Sequence, residues 1–376
     1  PLLAVAALIG FAFGLYVLGW EGITGSSEYW STTHDDSVQS IAALRYYMDE
    51  GWAWPLFEVR SYGYPEGTNL ALTGSIPLLA VLAKAMSGIL PAGFHYFGYW
   101  IAFCFMMQAV AMTALLRILG RRSYAAVFVG SGLALLQTVF LARYVHASLM
   151  GQFLITLTLV AGVAATRSKR PAREMTYLGL LTAVAFVVQI YLFVMVVVLA
   201  AAFVLGLYGH RIIGWRPVLS WMGAVGFTTL GLAVASGLTQ TSTAPSGGFG
   251  TYSSNLLSLF VADPDGTGGQ YEGNAYLGLG VIVLLAVALY AGRPQIRSIF
   301  RTYRIPVIAV LLMAVYALST DIYLGDRLLI ALPEIGLVEW VGERFRSSGR
   351  FVWPLVYALV ATVIVVVWRR FDRTTV

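Results

Sequence analysis

Charge is what this sequence has least of. Lys, Arg, Asp and Glu make up 11% of 376 residues, where an ordinary soluble domain carries ~25%. A soluble globular domain is excluded, because so few charges cannot cover the surface of so long a chain. Cysteine is nearly absent as well. Cys104 stands alone inside an apolar run, which leaves no intrachain disulfide and no cysteine zinc site. Neither a phosphate-loop motif nor a dinucleotide fingerprint is present, so nothing points to a nucleotide or a nucleic acid as partner. The ~10-residue alternation of a membrane β-barrel is missing, as are internal repeats and low-complexity segments. No Met start and no signal-peptide n-region precede the first apolar run. The natural N-terminus is therefore expected upstream of Pro1, and a soluble domain beyond Val376 is compatible with this reading.

What the sequence does have is hydrophobicity, 59% of its residues at a mean hydropathy of +0.77. It comes in runs near the ~20 residues needed to cross a bilayer as helix. The expected spans are Leu2–Trp20, Phe94–Leu119, Tyr124–Arg143, Ala147–Thr166, Met175–Ile190, Tyr191–Tyr208, Pro217–Leu238, Tyr276–Ala291, Ile305–Thr320 and Val352–Trp368. The stretch from Met175 to Tyr208 is too long for one crossing and has basic flanks on both sides, so it reads as a hairpin. Gly74–Leu90 also looks like a span. It carries Lys84 near its middle, at a cost of ~2.5–3.5 kcal/mol on insertion scales, and counting it would reverse the side of Arg117, Arg121 and Arg122. It is read instead as a helix on the outer membrane face.

This gives an all-α integral membrane fold, one domain over 1–376, with about ten transmembrane helices and both ends of the chain cytoplasmic. On that topology the inner segments hold 16 of the 24 Lys and Arg but 2 of the 18 Asp and Glu. The long loops, 21–93, 239–275 and 321–351, all face outward. The mid-membrane is nearly free of charge, so chemistry belongs at the outer surface.

Three patterns there carry candidate chemistry. In the first loop a helix starts near Thr33 or His34, with Asp35 and Asp36 in its first turn. Val38, Ile41, Met48 and Trp52 fall on one face, as in an interfacial amphipathic helix. Adjacent carboxylates at a membrane surface suit a general base and its partner, although an acidic pair at a helix start is also simply a solvated N-terminus. The third loop ends in Arg344, Arg346 and Arg350 around Ser347, Ser348 and Gly349. Arginines on the outer side run against the positive-inside trend, and they suit a lipid phosphate. The blander reading is ordinary headgroup contact or pairing with Glu339 and Glu343. The second loop is rich in Gly, Ser, Asn and Tyr, and Tyr252, Asn255, Tyr271, Glu272 and Asn274 are groups a sugar face would use. Tyr64 in the first loop is a similar candidate. The Asp263–Asp265 pair lacks the remaining ligands of a calcium loop. His146, in a turn between two spans, is placed to meet the phosphate or the base, and Gln189–Tyr191 has similar standing. Lys84 reads equally as a snorkelling lysine or as a second phosphate contact.

Taken together, DDSVQS at Asp35–Ser40, WPL, YGYPEGTN, SIPLLA, RYVHASL at Arg143–Leu149, SSNLLS, GQYEGNAYLG and FRSSGRFVWP resemble a poorly characterised bacterial family of GT-C-like membrane glycosyltransferases. The resemblance runs over essentially the whole chain. It implies a GT-C-like bundle with two juxtamembrane helices in the first outer loop. It also implies transfer of a sugar, with inversion, from a polyprenyl-phosphate donor to a saccharide, lipid or protein acceptor outside the cytoplasm of a bacterial inner membrane. On that reading Asp36, with Asp35, is the general base, and Arg350 with Arg346 holds the lipid phosphate. The need for a divalent cation, Mg or Mn, is left open. The chain departs from the pattern at Gly74, where an acidic residue is expected, and at Ser40, where a histidine is common. A flippase or transporter of a lipid-linked saccharide, a glycan polymerase or ligase, and a non-enzymatic scaffold are the alternatives. The transporter is disfavoured by the lack of charged or broken helices at mid-depth.

Overall fold

The computed structural model describes residues 1–32, 36–240, 247–333 and 336–371, with Leu337 and Glu339 by backbone alone. In chain order the helices are α1 (Leu2–Thr24), α2 (Tyr29–Thr32), α3 (Asp36–Asp49), α4 (Pro77–Ala85), α5 (Phe97–Ile118), α6 (Tyr124–Leu135), α7 (Thr138–Leu141), α8 (Phe153–Ala165), α9 (Pro171–Val188), α10 (Ile190–Gly209), α11 (Trp215–Ser236), α12 (Leu279–Ala291), α13 (Arg293–Thr302), α14 (Arg304–Ala317), α15 (Gly336–Arg344) and α16 (Trp353–Phe371). Two short antiparallel pairs interrupt them, β1 (Glu58–Val59) with β2 (Thr68–Asn69), and β3 (Asp321–Leu324) with β4 (Arg327–Ala331). These small hairpins in the first and third long connections are an addition to the all-helical expectation.

Among the described residues, six helices are long and apolar enough to cross a membrane, or seven if α12 and α13, bent by 92°, count as one span. The protein is therefore mostly helical and membrane-embedded. The break expected within Met175–Tyr208 is present: Gln189 is extended (φ −165°, ψ 129°), and α9 and α10 pack side by side, α10 being one of the six. The Gly74–Leu90 run forms only the 9-residue α4, about 13 Å long at 1.5 Å per residue, too short for the ~30 Å hydrocarbon core. The first-loop helix is described from Asp36 onward; Thr33, His34 and Asp35 lie outside the described residues. Its buried face is Ser37, Ser40, Ile41, Ala43, Leu44 and Tyr47. Val38 and Met48 are half-buried and Trp52 is exposed, so the core-facing stripe is rotated from the one expected.

The three long connections meet at one end of the bundle. Leu56 donates its backbone N–H to Ala235 O at 2.8 Å, and Asn69 Nδ2 reaches Ser236 O at 2.7 Å, tying the first connection to the end of α11. The second and third are joined by Gly349 N–H to Tyr252 O at 3.0 Å. Below them the core is apolar, with a few polar side chains used as links between helices. Tyr357 of α16 donates its hydroxyl to Gln152 Oε1 at 2.6 Å, and Gln152 Nε2 donates to Val139 O at 2.7 Å. One side chain thus ties α16 to the start of α8 and to α7. Tyr357→Phe leaves Gln152 Oε1 buried without this partner. Interhelical bonds of this kind carry up to ~1.7 kcal/mol in membranes, so a loss of about 1 kcal/mol is expected, read as a lowered thermal midpoint of the detergent-solubilised protein.

Candidate active site

α3 opens on Asp36, and the fold holds that first turn from below. Ser40 Oγ lies 2.8 Å from both Asp36 O and Thr73 O, and Ser75 Oγ donates to Ser40 O at 2.9 Å. Tyr96 in turn donates to Ser75 O. The SIP motif is therefore clamped onto α3 by small hydroxyl residues. Gly74 sits inside this clamp at φ +75°, where an added Cβ would stand 3.0 Å from Ser40 Oγ. Ser40 and Gly74 thus share one packing contact, and a side chain at 74 would need Ser40 Oγ to give way by a few tenths of an ångström.

Above the clamp, Asp36 Oδ2 lies 2.8 Å from His146 Nδ1; the Asp36 side chain is 62% exposed and that of His146 24%. His146 is delivered by the turn after α7, where its N–H caps Arg143 O at 2.9 Å. Burial pushes the imidazole below its ordinary value, Asp36 opposes this, and Arg350 reinforces it. A neutral ring donating Nδ1–H to the carboxylate is the state this environment favours.

Beside the pair lies an ion triad. Glu272, from the 3-10 turn Gln270–Gly273, accepts on one oxygen, Oε2, from Arg143 Nη1 at 2.6 Å and Arg350 Nε at 3.0 Å. The Arg143 and Glu272 side chains are 3% and 7% exposed. Arg143 Nη2 also donates to the carbonyls of Tyr271 and Glu272, each at 3.1 Å. Burial alone would raise the Glu272 pKa, but Arg350 and Arg143 outweigh it and hold the carboxyl at about 2. Arg350 stacks 4.7 Å from the Tyr191 ring centroid. Among the described residues its Nη groups make no hydrogen bond, so they remain as donors. The second and third connections can close this far because Gly349 and Gly273 touch backbone to backbone; a Cβ on Gly349 would stand 2.5 Å from Gly273 Cα.

The candidates from sequence divide accordingly. Asp36, His146, Glu272 and Arg350 come together. Arg346 stacks on Tyr252 at 5.3 Å, and Tyr252 meets Tyr271 edge-on at 6.3 Å, at the rim of the same junction. Asp35 lies outside the described residues. Five of the candidates have other engagements in the structure. Lys84 is turned into the first connection, donating to Gly51 O at 3.1 Å and lying 4.0 Å from the Tyr47 ring centroid, so it is not brought to the phosphate candidates. Asn255 is a loop staple: Nδ2 donates to Gln270 Oε1 and Gly325 O, and Oδ1 accepts from Leu257 N and Gly325 N, which uses its full capacity. Glu272 partners the arginines with its carboxylate instead of presenting it to a sugar. Arg344 stands exposed, stacked on Trp340 at 4.0 Å, and Tyr64 is 83% exposed on the first connection's turn. Arg143 was missed as a site residue. Its position at the end of an apolar run resembles an ordinary span flank, yet on the expected topology a basic residue there, two places before a valine–histidine pair, runs against the positive-inside trend. Among the described residues no three His, Cys, Asp or Glu side chains gather as a metal site.

A helical membrane protein with an exposed carboxylate–imidazole pair beside a buried Arg–Glu–Arg triad is the class that the fold and site define. A family model described as a domain of unknown function, DUF6311, matches residues 7–376, and the chain belongs to that family. No curated protein and no solved structure matches it.

Glu272→Gln leaves two buried guanidinium groups without their counter-ion. Breaking a buried pair typically costs ~3–5 kcal/mol, and a drop of that size is expected in chemical unfolding. The titrations act in different windows. Glu272 has a depressed pKa, so its contribution is full above about 4.5 and is lost only as pH falls toward about 2. His146 has a lowered pKa, so below 6.5 the unfolded chain binds the proton first and stability declines. A pH series from about 7 to 5 should therefore lower the thermal midpoint through histidine and not through the triad, and the decline should be smaller in His146→Asn.

Proposed function

We propose that the protein is an inverting membrane glycosyltransferase of GT-C type, moving a sugar from a polyprenyl-phosphate donor to a saccharide, lipid or protein acceptor at the outer face of a bacterial inner membrane. The observation that carries this reading is the Asp36–His146 pair set beside the Arg350–Glu272–Arg143 triad, where the three long connections meet. Asp36 takes the proton of an acceptor hydroxyl while His146 Nδ1–H holds the carboxylate in place. The acceptor oxygen forms its bond to the anomeric carbon as the bond from that carbon to the phosphate oxygen breaks. The Nη groups of Arg350, with Arg346 at the rim, hold the charge left on the phosphate. The acceptor or sugar would lie against Tyr252 and Tyr271. A divalent cation, Mg or Mn, is compatible with the Asp36–His146 pair, and the chemistry above does not require one.

In this reading α6 with α7, α9, α12 and α14 cross together with the six long helices, which makes ten spans with both ends of the chain cytoplasmic. Two features support it. The three long connections gather at one end of the bundle, and the basic residues concentrate in the short connections at the other.

The test is transfer of radiolabelled sugar from polyprenyl phosphate by the purified protein. A positioned base contributes about 10²–10⁴-fold, so Asp36→Asn should lose at least a hundredfold. Arg350→Ala should lose turnover as well, whereas Lys84→Gln should leave it within a few-fold. Activity unchanged in Asp36→Asn would remove the base assignment. Movement of the lipid-linked saccharide across liposomes without transfer would support a flippase instead.

A further inference from the structure

At the opposite end of the bundle, α5, α8, α10, α13, α14 and α16 leave a cavity of about 330 Å³. Its walls are apolar, with Leu159, Phe203, Val310, Leu355 and Ala358 among them, and Arg167 and Arg369 stand at its edge. Leu355 and Arg369 are separated by 14 positions of α16, about 21 Å along a helix. That exceeds the ~15 Å depth of one leaflet, half of the ~30 Å hydrocarbon core.

The mouth is positively charged and fixed. Arg167 donates to Ile118 O and Arg369 to Leu119 O, so both guanidinium groups are anchored at the C-terminal end of α5. Both are exposed, and Arg369 feels the charges of Arg121 and Arg167 together. Among the described residues the acidic side chain at this end is Glu174, which lies 4.0 Å from Arg173. The floor is α13, turned 92° from α12. It places Ile296 and Ile299 along the cavity and leaves Arg293, Arg297 and Arg301 exposed, the division of faces expected of a helix lying in the interface.

We propose that this cavity holds an acyl chain of an anionic phospholipid whose phosphate rests on Arg167 and Arg369. An apolar slot continuous with fixed, carboxylate-poor cations matches both halves of such a lipid, and basic pockets between membrane helices are known to take anionic headgroups. A zwitterionic lipid brings its own cation to the same place and gains less. The proposal concerns the end of the bundle away from Asp36, and it stands independently of sugar transfer.

The test is native mass spectrometry of the protein in mild detergent, titrated with phosphatidylglycerol or with phosphatidylcholine of the same chains. One phosphatidylglycerol should be retained, at least tenfold more tightly than phosphatidylcholine. The double variant Arg167→Gln, Arg369→Gln should lose that tenfold preference. Ala358→Phe, which fills the slot and leaves both arginines, should lower retention of phosphatidylglycerol by a similar factor. Equal retention of the two lipids, or retention of phosphatidylglycerol unchanged in either variant, would overturn the proposal.

Discussion

The end of the bundle where the long connections meet depends on one carboxylate. Glu272 Oε2 is the meeting point of Arg143, from the turn after α7, and Arg350, from the run into α16. Each guanidinium would be intolerable there alone, since a buried unpaired charge shifts its protonation or drags in water. Shared, they draw three connections far apart in sequence onto one point. The depressed pKa of Glu272 measures the same coupling, because it says how strongly the arginines favour the charged carboxylate over the neutral one. His146 follows Arg143 by three residues, so fixing Arg143 also fixes the imidazole that Asp36 leans on. The exposed pair is positioned by the buried triad.

How much of this was legible in the sequence depends on which physical signal each part leaves. Apolar length and basic flanks are additive along the chain, so the membrane class, the break within 175–208 and the exclusion of Gly74–Leu90 from the spans could be read directly. The gathering of Asp36, His146, Glu272 and Arg350 was legible only as a set of polar residues on one side, because nothing local says that positions 36, 146, 272 and 350 converge. Asn255 shows the opposite failure. Its composition suits a sugar contact, but closing a loop that must satisfy its own backbone groups consumes all of its donors and acceptors. Lys84 was weighed as a phosphate contact or a snorkelling side chain; an aromatic ring and a backbone carbonyl inside its own connection claim it instead. The β3–β4 hairpin left no signal because its strands are only four and five residues long and show no alternation of buried and exposed positions.

The clamp under Asp36 shows why small residues persist beside chemical ones. Ser40 Oγ donates to Thr73 O, Ser75 Oγ to Ser40 O, the Thr73 and Ser75 hydroxyls meet each other, and Gly74 lets the chain turn between them. A side chain at Gly74 would press on Ser40 Oγ, across which α3 meets the segment leading into α4. The first turn of α3, on which Asp36 meets His146, is held by that contact.

Arginine does opposite work at the two ends of the bundle, and the difference lies in what accompanies it. At the end where the long connections meet, Arg143 and Arg350 share a buried carboxylate, so their positions are settled before any ligand arrives, and the Nη groups of Arg350 are left as aimed donors. At the opposite end Arg167 and Arg369 are, among the described residues, anchored to backbone carbonyls. A carbonyl fixes a guanidinium in space but does not cancel its charge. Preorganisation without neutralisation leaves a standing attraction for an anion, whereas one carboxylate shared by two guanidinium groups cancels half of their charge and adds directed hydrogen bonds to a weaker field. The first arrangement suits the proposed resident lipid. The second suits, on the proposed function, a phosphate that is held through one reaction and then released.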